Sequence, residues 1–155
     1  MVYDWRSRAF IALSVMGIAV AIYHAYGELT YTAGGLGACS LSKAISCAGV
    51  FGSGYTTFPP ANSIPGLHAG IEFWVYGVVW FPVCLIVGLW AIRRYGSPSR
   101  SVIVPFLMIG NIFTLYPWDI EIRILDGVYC PVCVSLYCLN YLMTFIAFTS
   151  KPDSS

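Results

Sequence analysis

Charged side chains are scarce in this sequence. Asp, Glu, Lys and Arg make up 10% of its 155 residues, whereas soluble domains carry about 25%. The mean hydropathy is correspondingly high, at +0.74. The formal net charge is only +1, so the composition does not resemble the strongly basic one that is typical of nucleic-acid-binding domains. This composition therefore predicts a protein whose main solvent is not water.

Other features are also missing. The chain has no internal repeat and no low-complexity tract, and its length predicts about one domain. Its six cysteines are too few for a disulfide-built scaffold. Tyr23, His24 and Tyr26 make a poor small-residue cleavage site after the first apolar run. We therefore expect that run to be a retained membrane span and not a cleaved signal peptide.

Four apolar stretches are long enough to cross a hydrocarbon core, which takes roughly 20 helical residues. Only helices satisfy their own backbone groups in lipid. The predicted fold is an all-α integral membrane protein, a four-transmembrane-helix bundle with an extracytoplasmic cap loop at about 27–66. The bundle is expected to fill 1–150, and 151–155 to form a short polar tail. The four predicted spans are Ala9–Tyr26, Leu67–Ile92, Ser101–Trp118 and Pro131–Thr149.

The basic residues predict an orientation. Six of the eight fall on one face of the bundle, which the positive-inside rule makes cytoplasmic together with both termini. The opposite face carries the cysteine-rich segments and an acidic excess that includes Glu28 and Glu121. No C-terminal ER-retrieval signal is evident, so we expect a prokaryotic plasma membrane, with the ER membrane as the alternative. The six basic residues are Arg6, Arg8, Arg93, Arg94, Arg100 and Lys151.

The motif Cys130-Pro131-Val132-Cys133 opens the fourth predicted helix. With Cys130 as N-cap, Pro131 takes the first helical position, where its missing N–H costs nothing. Unpaired backbone N–H groups and the positive end of the helix dipole then stabilise a thiolate. A thiolate attacks disulfides and electrophiles, so redox work is favoured. The alternatives are a static disulfide and a zinc knuckle.

Cys39 and Cys47 lie in the predicted cap loop, on the same side of the bilayer as the Cys-Pro-Val-Cys motif. Their spacing is too wide for the usual zinc knuckle, and it suits a loop disulfide that opens by exchange. A bond that only staples the cap is the alternative. Cys84 and Cys138 have no evident partner, and we expect both to be small buried apolar residues.

A dithiol facing the bundle interior needs an acceptor that reaches it through lipid, and a quinone satisfies this. Quinone carbonyls require hydrogen-bond donors near the outer leaflet; the candidates are Asn62, Tyr137, Asn140, Tyr76 and His68. Glu72 and His68 are costly in a membrane if charged, so either proton handling or headgroup solvation is expected of them. Aromatic residues are predicted to wall the pocket, or else to serve in ordinary packing: Phe73, Trp74, Trp80, Phe113 and Tyr116.

These residues together resemble the vitamin K epoxide reductase family. The resemblance rests on Cys39 with Cys47, on Asn62-Ser63-Ile64 before the second helix, and on the run from Tyr129 to Tyr137 followed by Asn140. It covers nearly the whole chain, because helix count, cysteine order and orientation agree.

The resemblance implies a relay. Cys39 would receive electrons from a separate thioredoxin-like partner, since this chain has no room for a fused one. Cys47 would exchange with Cys130, Cys133 would react with a quinone (ubiquinone, menaquinone or vitamin K), and Asn62 and Tyr137 would hold its oxygens. The implied function is a quinone-dependent thiol oxidoreductase that promotes disulfide formation. Ser135-Leu136-Tyr137 departs from the Thr-Thr-Tyr of vertebrate members, and the segment from Cys47 to Asn62 is shorter.

Three alternatives stay open beside that relay. The first is a vitamin K epoxide or quinone reductase of the ER, which is a close variant. The second is a metal-binding membrane protein using the four cysteines of the cap and of the Cys-Pro-Val-Cys motif. The third is a structural tetraspan protein stabilised by disulfides.

Overall fold

The computed structural model describes residues 4–32, 42, 44–51, 53, 55–59, 70–98 and 100–150. Helices make up most of this part of the chain, and a two-stranded antiparallel sheet accompanies them. The elements in chain order are α1 (Trp5–Thr32), α2 (Cys47–Phe51), β1 (Thr57–Phe58), β2 (Ile71–Glu72), α3 (Phe73–Tyr95), α4 (Arg100–Asp119), a π-helical segment (Ile120–Ile124) and α5 (Pro131–Phe148).

Four of the helices are long and apolar enough to span a membrane, which confirms the predicted four-helix bundle. Between α4 and α5, Thr114 contacts Tyr141 and Trp118 contacts Tyr137. Between α1 and α5, Ser14 contacts Met143 and His24 contacts Cys133. The residue number rises along one helix as it falls along its neighbour, so α5 runs antiparallel to both, and the contacts of α1 with α3 described below have the same sense. The C-terminal ends of α1 and α4 and the N-terminal ends of α3 and α5 therefore share one end of the bundle, called here the cysteine end.

The two largest differences from the predicted span boundaries are at the end of α1 and at the start of α3. Helix α1 continues to Thr32, so the first part of the predicted cap loop is helical and carries Glu28 within the bundle. Helix α3 begins at Phe73 rather than Leu67, because Ile71 and Glu72 are extended and pair with β1. Much of the predicted cap and the predicted polar tail lie outside the described residues.

Helices α1 and α3 fit together through two reciprocal contacts. The Phe81 ring of α3 lies over Gly17 of α1, and the Phe10 ring of α1 lies over Gly88 of α3. A Cβ added at Gly88 would stand 2.2 Å from Cε1 of Phe10. Phe10 is fully buried and Phe81 nearly so. Small residues that let backbones approach closely are typical of membrane helix interfaces, where no hydrophobic driving force acts between helices.

We expect Gly88→Ala to destabilise the bundle by about 1–3 kcal/mol through overpacking, partly offset by the better helix propensity of alanine. Gly77→Ala is the matched control, because a Cβ there would meet Ala21 at 3.4 Å and Leu136 at 3.8 Å. Thermal unfolding in mild detergent should show a lower midpoint for Gly88→Ala only. Equal midpoints in the two variants would contradict the close packing of α1 on α3.

Candidate active site

A short backbone contact places the cap beside the start of α5. Ile45 pairs with Tyr129 in an isolated parallel bridge. The N–H of Tyr129 donates to the carbonyl of Ala44 at 2.9 Å, and the N–H of Ser46 donates to the carbonyl of Tyr129 at 3.0 Å. Cys47 follows Ser46 and Cys130 follows Tyr129. The bridge therefore brings the two cysteines together, although they are distant in sequence.

The sulfur atoms of Cys47 and Cys130 lie 2.9 Å apart, and both side chains are fully buried. Cys47 is disulfide-bonded, whereas Cys130 and Cys133 are free thiols. A free thiolate against a disulfide sulfur is the arrangement from which thiol–disulfide exchange proceeds. The site can therefore pass a disulfide between the cap and α5.

Cys130 is the N-cap of α5 and Pro131 stands in the first turn, as the motif predicted. Hydrogen bonding from the Cys133 side chain lowers the pKa of Cys130 to about 5, and His24 acts in the same direction, while burial opposes both. An ordinary cysteine has a pKa of about 8.5. Cys130 is therefore a thiolate at neutral pH, which is the nucleophilic form.

We expect the ultraviolet absorbance of thiolate in the reduced protein to include one titration with a midpoint near pH 5. The sign follows from the lowered pKa: Cys130 is ionised above that pH and protonated below it. The Cys130→Ser variant, titrated in parallel, isolates this signal from the other thiols. A difference curve with its midpoint near the ordinary value of about 8.5 would contradict the hydrogen-bonded thiolate.

A buried carboxylate is hydrogen-bonded to the start of α5. Oε1 of Glu121 accepts a hydrogen bond from the backbone N–H of Cys130 at 3.2 Å. Glu121 lies in the π-helical segment and is only 2% exposed. π-Helical turns occur frequently at functional sites. Here the altered helical pitch carries the acidic side chain of Glu121 to the redox cysteine.

Two further polar residues of α1 face the same cysteines. Nε2 of His24 lies 3.2 Å from Sγ of Cys133. Glu28, one helical turn further along, interacts electrostatically with His24 and with Cys130, and Thr56 hydrogen-bonds its side chain. Both His24 and Glu28 are 3% exposed. Buried ionisable groups within membrane helices are expensive and mark functional sites.

A cavity of about 360 Å³ opens directly beside Cys133. Its volume is within the usual range for small-molecule sites, about 300–1,000 Å³. Most of its wall is apolar or aromatic, and a few polar groups stand among these residues. The described lining includes His24, Phe73, Tyr76, Trp80, Phe113, Cys133, Tyr137 and Asn140.

The predicted aromatic wall is found in part. Phe73, Trp80 and Phe113 line the cavity, whereas Trp74 and Tyr116 are not among its described lining residues. Tyr116 instead packs behind the wall, with ring centroids 5.9 Å from Phe73. The indole N–H of Trp74 donates to the carboxylate of Glu72.

Asn140 lies on the cavity wall, but its side chain already belongs to a hydrogen-bond network. Its Oδ1 accepts from Nε1 of Trp80 at 2.9 Å, and its Nδ2 donates to Oδ1 of Asn111. Nδ2 of Asn111 donates in turn to Oγ1 of Thr144 at 3.0 Å. Tyr137 is 7% exposed, and its side chain is hydrogen-bonded to Cys133. Of these two predicted donors it is therefore the one beside the reacting sulfur.

The structure brings together four of the predicted site residues: Cys47, Cys130, Cys133 and Tyr137. Cys39, Asn62 and His68 lie outside the described residues, so their predicted roles stay predictions. Cys84 is buried, as expected. Cys138 is exposed on α5, so its predicted burial is wrong; it faces away from the neighbouring helices.

Sequence reasoning missed three residues of the site: His24, Glu28 and Glu121. The charge pattern places both glutamates on the outer face of the bundle. His24 enters the sequence analysis only as part of a poor signal-peptide cleavage site. A signal for two of them was present, because His24 and Glu28 are four residues apart and therefore share a helix face. Glu121 had no such signal, since its inward position depends on the π-helical segment.

The sequence of residues 8–148 matches the vitamin K epoxide reductase family. The match covers nearly the whole chain; it includes every described residue of the site and all of the membrane-spanning helices except the first residues of α1. Members of this family are membrane oxidoreductases associated with quinone and vitamin K chemistry. The chain belongs to the vitamin K epoxide reductase family.

Proposed function

We propose that this protein is a membrane thiol–disulfide oxidoreductase that passes electrons from a separate thioredoxin-like partner to a quinone, and so promotes disulfide formation. One observation carries the proposal: the Cys130 thiolate lies 2.9 Å from the disulfide-bonded Cys47, and Cys133, one turn along, lines an apolar cavity. The first contact suits exchange with the cap, and the second suits transfer to a lipid-soluble acceptor.

The relay balances in three steps. The partner's dithiol reduces the proposed Cys39–Cys47 disulfide and becomes a disulfide itself. The Cys47 thiolate then attacks Cys130 of an oxidised Cys130–Cys133 pair, and Cys39 resolves the mixed disulfide, so the cap disulfide re-forms and the pair is reduced. Finally the pair is reoxidised to its disulfide, and its two electrons and two protons convert a quinone to a hydroquinone.

The residues around the cavity support a quinone as the acceptor class. The aromatic side chains Phe73, Trp80 and Phe113 offer flat apolar surfaces to a flat ring. The Tyr137 hydroxyl is a donor for one carbonyl oxygen, and we propose Asn62 as a second donor. Cys133 borders the same space, so a bound ring would be close to the reacting sulfur.

The charge distribution supports an extracytoplasmic or lumenal active site. Arg6, Arg8, Arg93 and Arg94 belong to the end of the bundle opposite the cysteines, and the positive-inside rule makes that end cytoplasmic. We propose a prokaryotic plasma membrane with both termini in the cytoplasm. An ER member that reduces vitamin K epoxide would use the same site, with the epoxide as acceptor.

One observation favours a metal-binding function as the second candidate. The ligand atoms of His24, Cys130 and Cys133 lie within 4.8 Å of one another, a reach that suits zinc. Cys47 is disulfide-bonded, so the four-cysteine site predicted as an alternative would require that bond to be reduced.

The deciding experiment is an anaerobic spectroscopic assay on purified protein. Dithiothreitol or a reduced thioredoxin-like protein serves as donor, and ubiquinone, menaquinone and vitamin K epoxide are offered in turn. We expect catalytic reduction of at least one acceptor, with metal content well below one ion per chain. Stoichiometric zinc with no acceptor reduced would instead support the metal-binding function.

A further inference from the structure

The reduced site holds fewer protons than its reaction needs. Reduction of a quinone to a hydroquinone takes two electrons and two protons. The Cys130–Cys133 pair supplies both electrons when it forms its disulfide. Cys130 is already a thiolate at neutral pH, so the cysteine pair brings only one proton, that of Cys133. A second proton must enter the buried site from another group.

His24 is placed to handle these protons. Its Nε2 is 3.2 Å from the Cys133 sulfur, within reach for proton transfer. Its side chain also lines the cavity in which an acceptor would lie. His24 thus contacts both the reacting sulfur and the space beside it, and histidine is the side chain that most often performs such transfers.

Glu28 connects His24 with the cysteine end of the bundle. It follows His24 by one helical turn and interacts with it electrostatically. Thr56, which hydrogen-bonds the Glu28 side chain, comes directly after the exposed Tyr55. Oε2 of Glu28 has no hydrogen-bond partner within the described part of the chain, so this oxygen is available to accept a proton.

We propose that His24 is a catalytic residue that takes the Cys133 proton and delivers it into the cavity, and that Glu28 supplies the second proton through His24. This inference rests on the quinone-coupled function proposed above and adds the proton route to it. As the Cys130 thiolate attacks Cys133 sulfur and the disulfide forms, one proton comes from Cys133 and one from Glu28. Glu28 then regains its proton from the aqueous side.

Other titratable groups lie around His24, Glu28 and Cys133. The test must therefore separate proton transfer by His24 from proton transfer by these groups. Glu121 of the π-helical segment acts electrostatically on Cys133, as does Glu28. Glu72 of β2 acts on Glu28. The titratable groups facing His24, Glu28 and Cys133 are Glu72, Tyr76, Glu121, Cys130 and Tyr137. Only His24 combines a described contact to the Cys133 sulfur with a nitrogen that both accepts and donates protons.

The test is a single turnover. Protein reduced with dithiothreitol and freed of it is mixed anaerobically with a short-chain ubiquinone, and hydroquinone formation is followed by stopped flow between pH 5 and 9. We expect His24→Gln to slow this step by about 10²-fold, the lower end of general acid–base contributions. The pH–rate curve of His24→Gln should lack one of the pH-dependent limbs that the curve of the unchanged protein shows. Added imidazole should restore part of the rate in His24→Ala.

Controls separate proton transfer from structure. Ser14→Ala removes a buried hydroxyl from the same helix, outside the described cavity lining, and should leave both rate and pH profile unchanged. Because His24 also helps to lower the Cys130 pKa, the rates of His24→Gln and of the unchanged protein are compared at pH values at which the Cys130 thiol is ionised in both. Glu28→Gln should slow repeated turnover and shift the limb. If His24→Gln does not fold, the solvent isotope effect on the unchanged protein replaces it, and its absence would overturn the inference.

The outcomes distinguish the two proposals. Activity retained in Cys133→Ala would overturn the proposed function and this inference with it. An inactive Cys133→Ala beside a His24→Gln with normal rate and pH profile would overturn only the role of His24. A slow His24→Gln whose pH profile matches the unchanged protein, with no rescue of His24→Ala by imidazole, would show a structural role and would also overturn the inference.

Discussion

We expect Cys133→Ala to abolish quinone reduction, leaving only the uncatalysed background rate. Cys133 is the thiol that lines the cavity, and without it the Cys130 sulfur has no partner on α5 with which to form a disulfide. Cys130 could then be reduced, but it could not pass two electrons to the quinone by forming a disulfide with residue 133. The measurement is anaerobic hydroquinone formation with dithiothreitol as donor, so that no protein partner is involved.

The same variant should collect a trapped intermediate. The Cys130 thiolate lies 2.9 Å from Cys47 sulfur, so it can open the cap disulfide and form a Cys47–Cys130 bond. Alanine at 133 cannot resolve that bond by attacking Cys130. Peptide mapping by mass spectrometry under nonreducing conditions should therefore identify a 47–130 crosslink, which the unchanged protein does not accumulate.

Cys138→Ala is the matched control, because it removes a cysteine from the same helix that is free and exposed. It should retain full activity and show no new crosslink. Full quinone reduction by Cys133→Ala, under conditions where Cys138→Ala is also active, would rule out the relay. A structural disulfide protein, the third alternative predicted from the sequence, would reduce no quinone in any of these variants.

The helices and the local geometry of the redox motif could be predicted because they depend on neighbouring residues. Apolar runs of membrane-spanning length can only be helical in lipid. Pro131 fixes the first turn of α5 and so makes Cys130 the N-cap, whichever helices surround it. Both properties belong to short segments, and the structure confirms both.

The arrangement of the site depended on contacts that no short segment contains. The sequence placed Cys47 and Cys130 on one side of the bilayer, but their proximity comes from the bridge between Ile45 and Tyr129. Glu121 turns inward because a π-helical segment shifts the residues away from a period of 3.6. A period of 3.6 residues continued from α4 therefore does not predict that Glu121 is buried.

The first helix shows a different source of error. Glu28 reads as a loop residue because carboxylates are rare in membrane spans, so the predicted helix ends at Tyr26. The structure extends α1 to Thr32, and the cost of burying Glu28 is reduced by its contacts with Thr56 and His24. The polar residue that misplaces the boundary is thus itself part of the site.

Cys47→Ala should separate the two electron donors completely. We expect activity with a reduced thioredoxin-like protein to disappear, because the cap can no longer exchange with Cys130. Activity with dithiothreitol should persist, since Cys130 and Cys133 remain intact and the smaller alanine leaves space beside the buried Cys130 sulfur. The two rates are measured with the same quinone and the same enzyme preparation.

Cys84→Ala is the control for this second prediction, because it also removes a buried cysteine but one that is a free thiol in the core of the bundle. It should keep both activities. Loss of both in Cys47→Ala, with a normal unfolding midpoint, would mean that dithiothreitol enters through the cap as well, and that Cys130 is closed to direct attack. Retention of both would remove Cys47 from the electron path altogether. Only the split result agrees with a buried Cys130 whose single described sulfur contact towards the cap is Cys47.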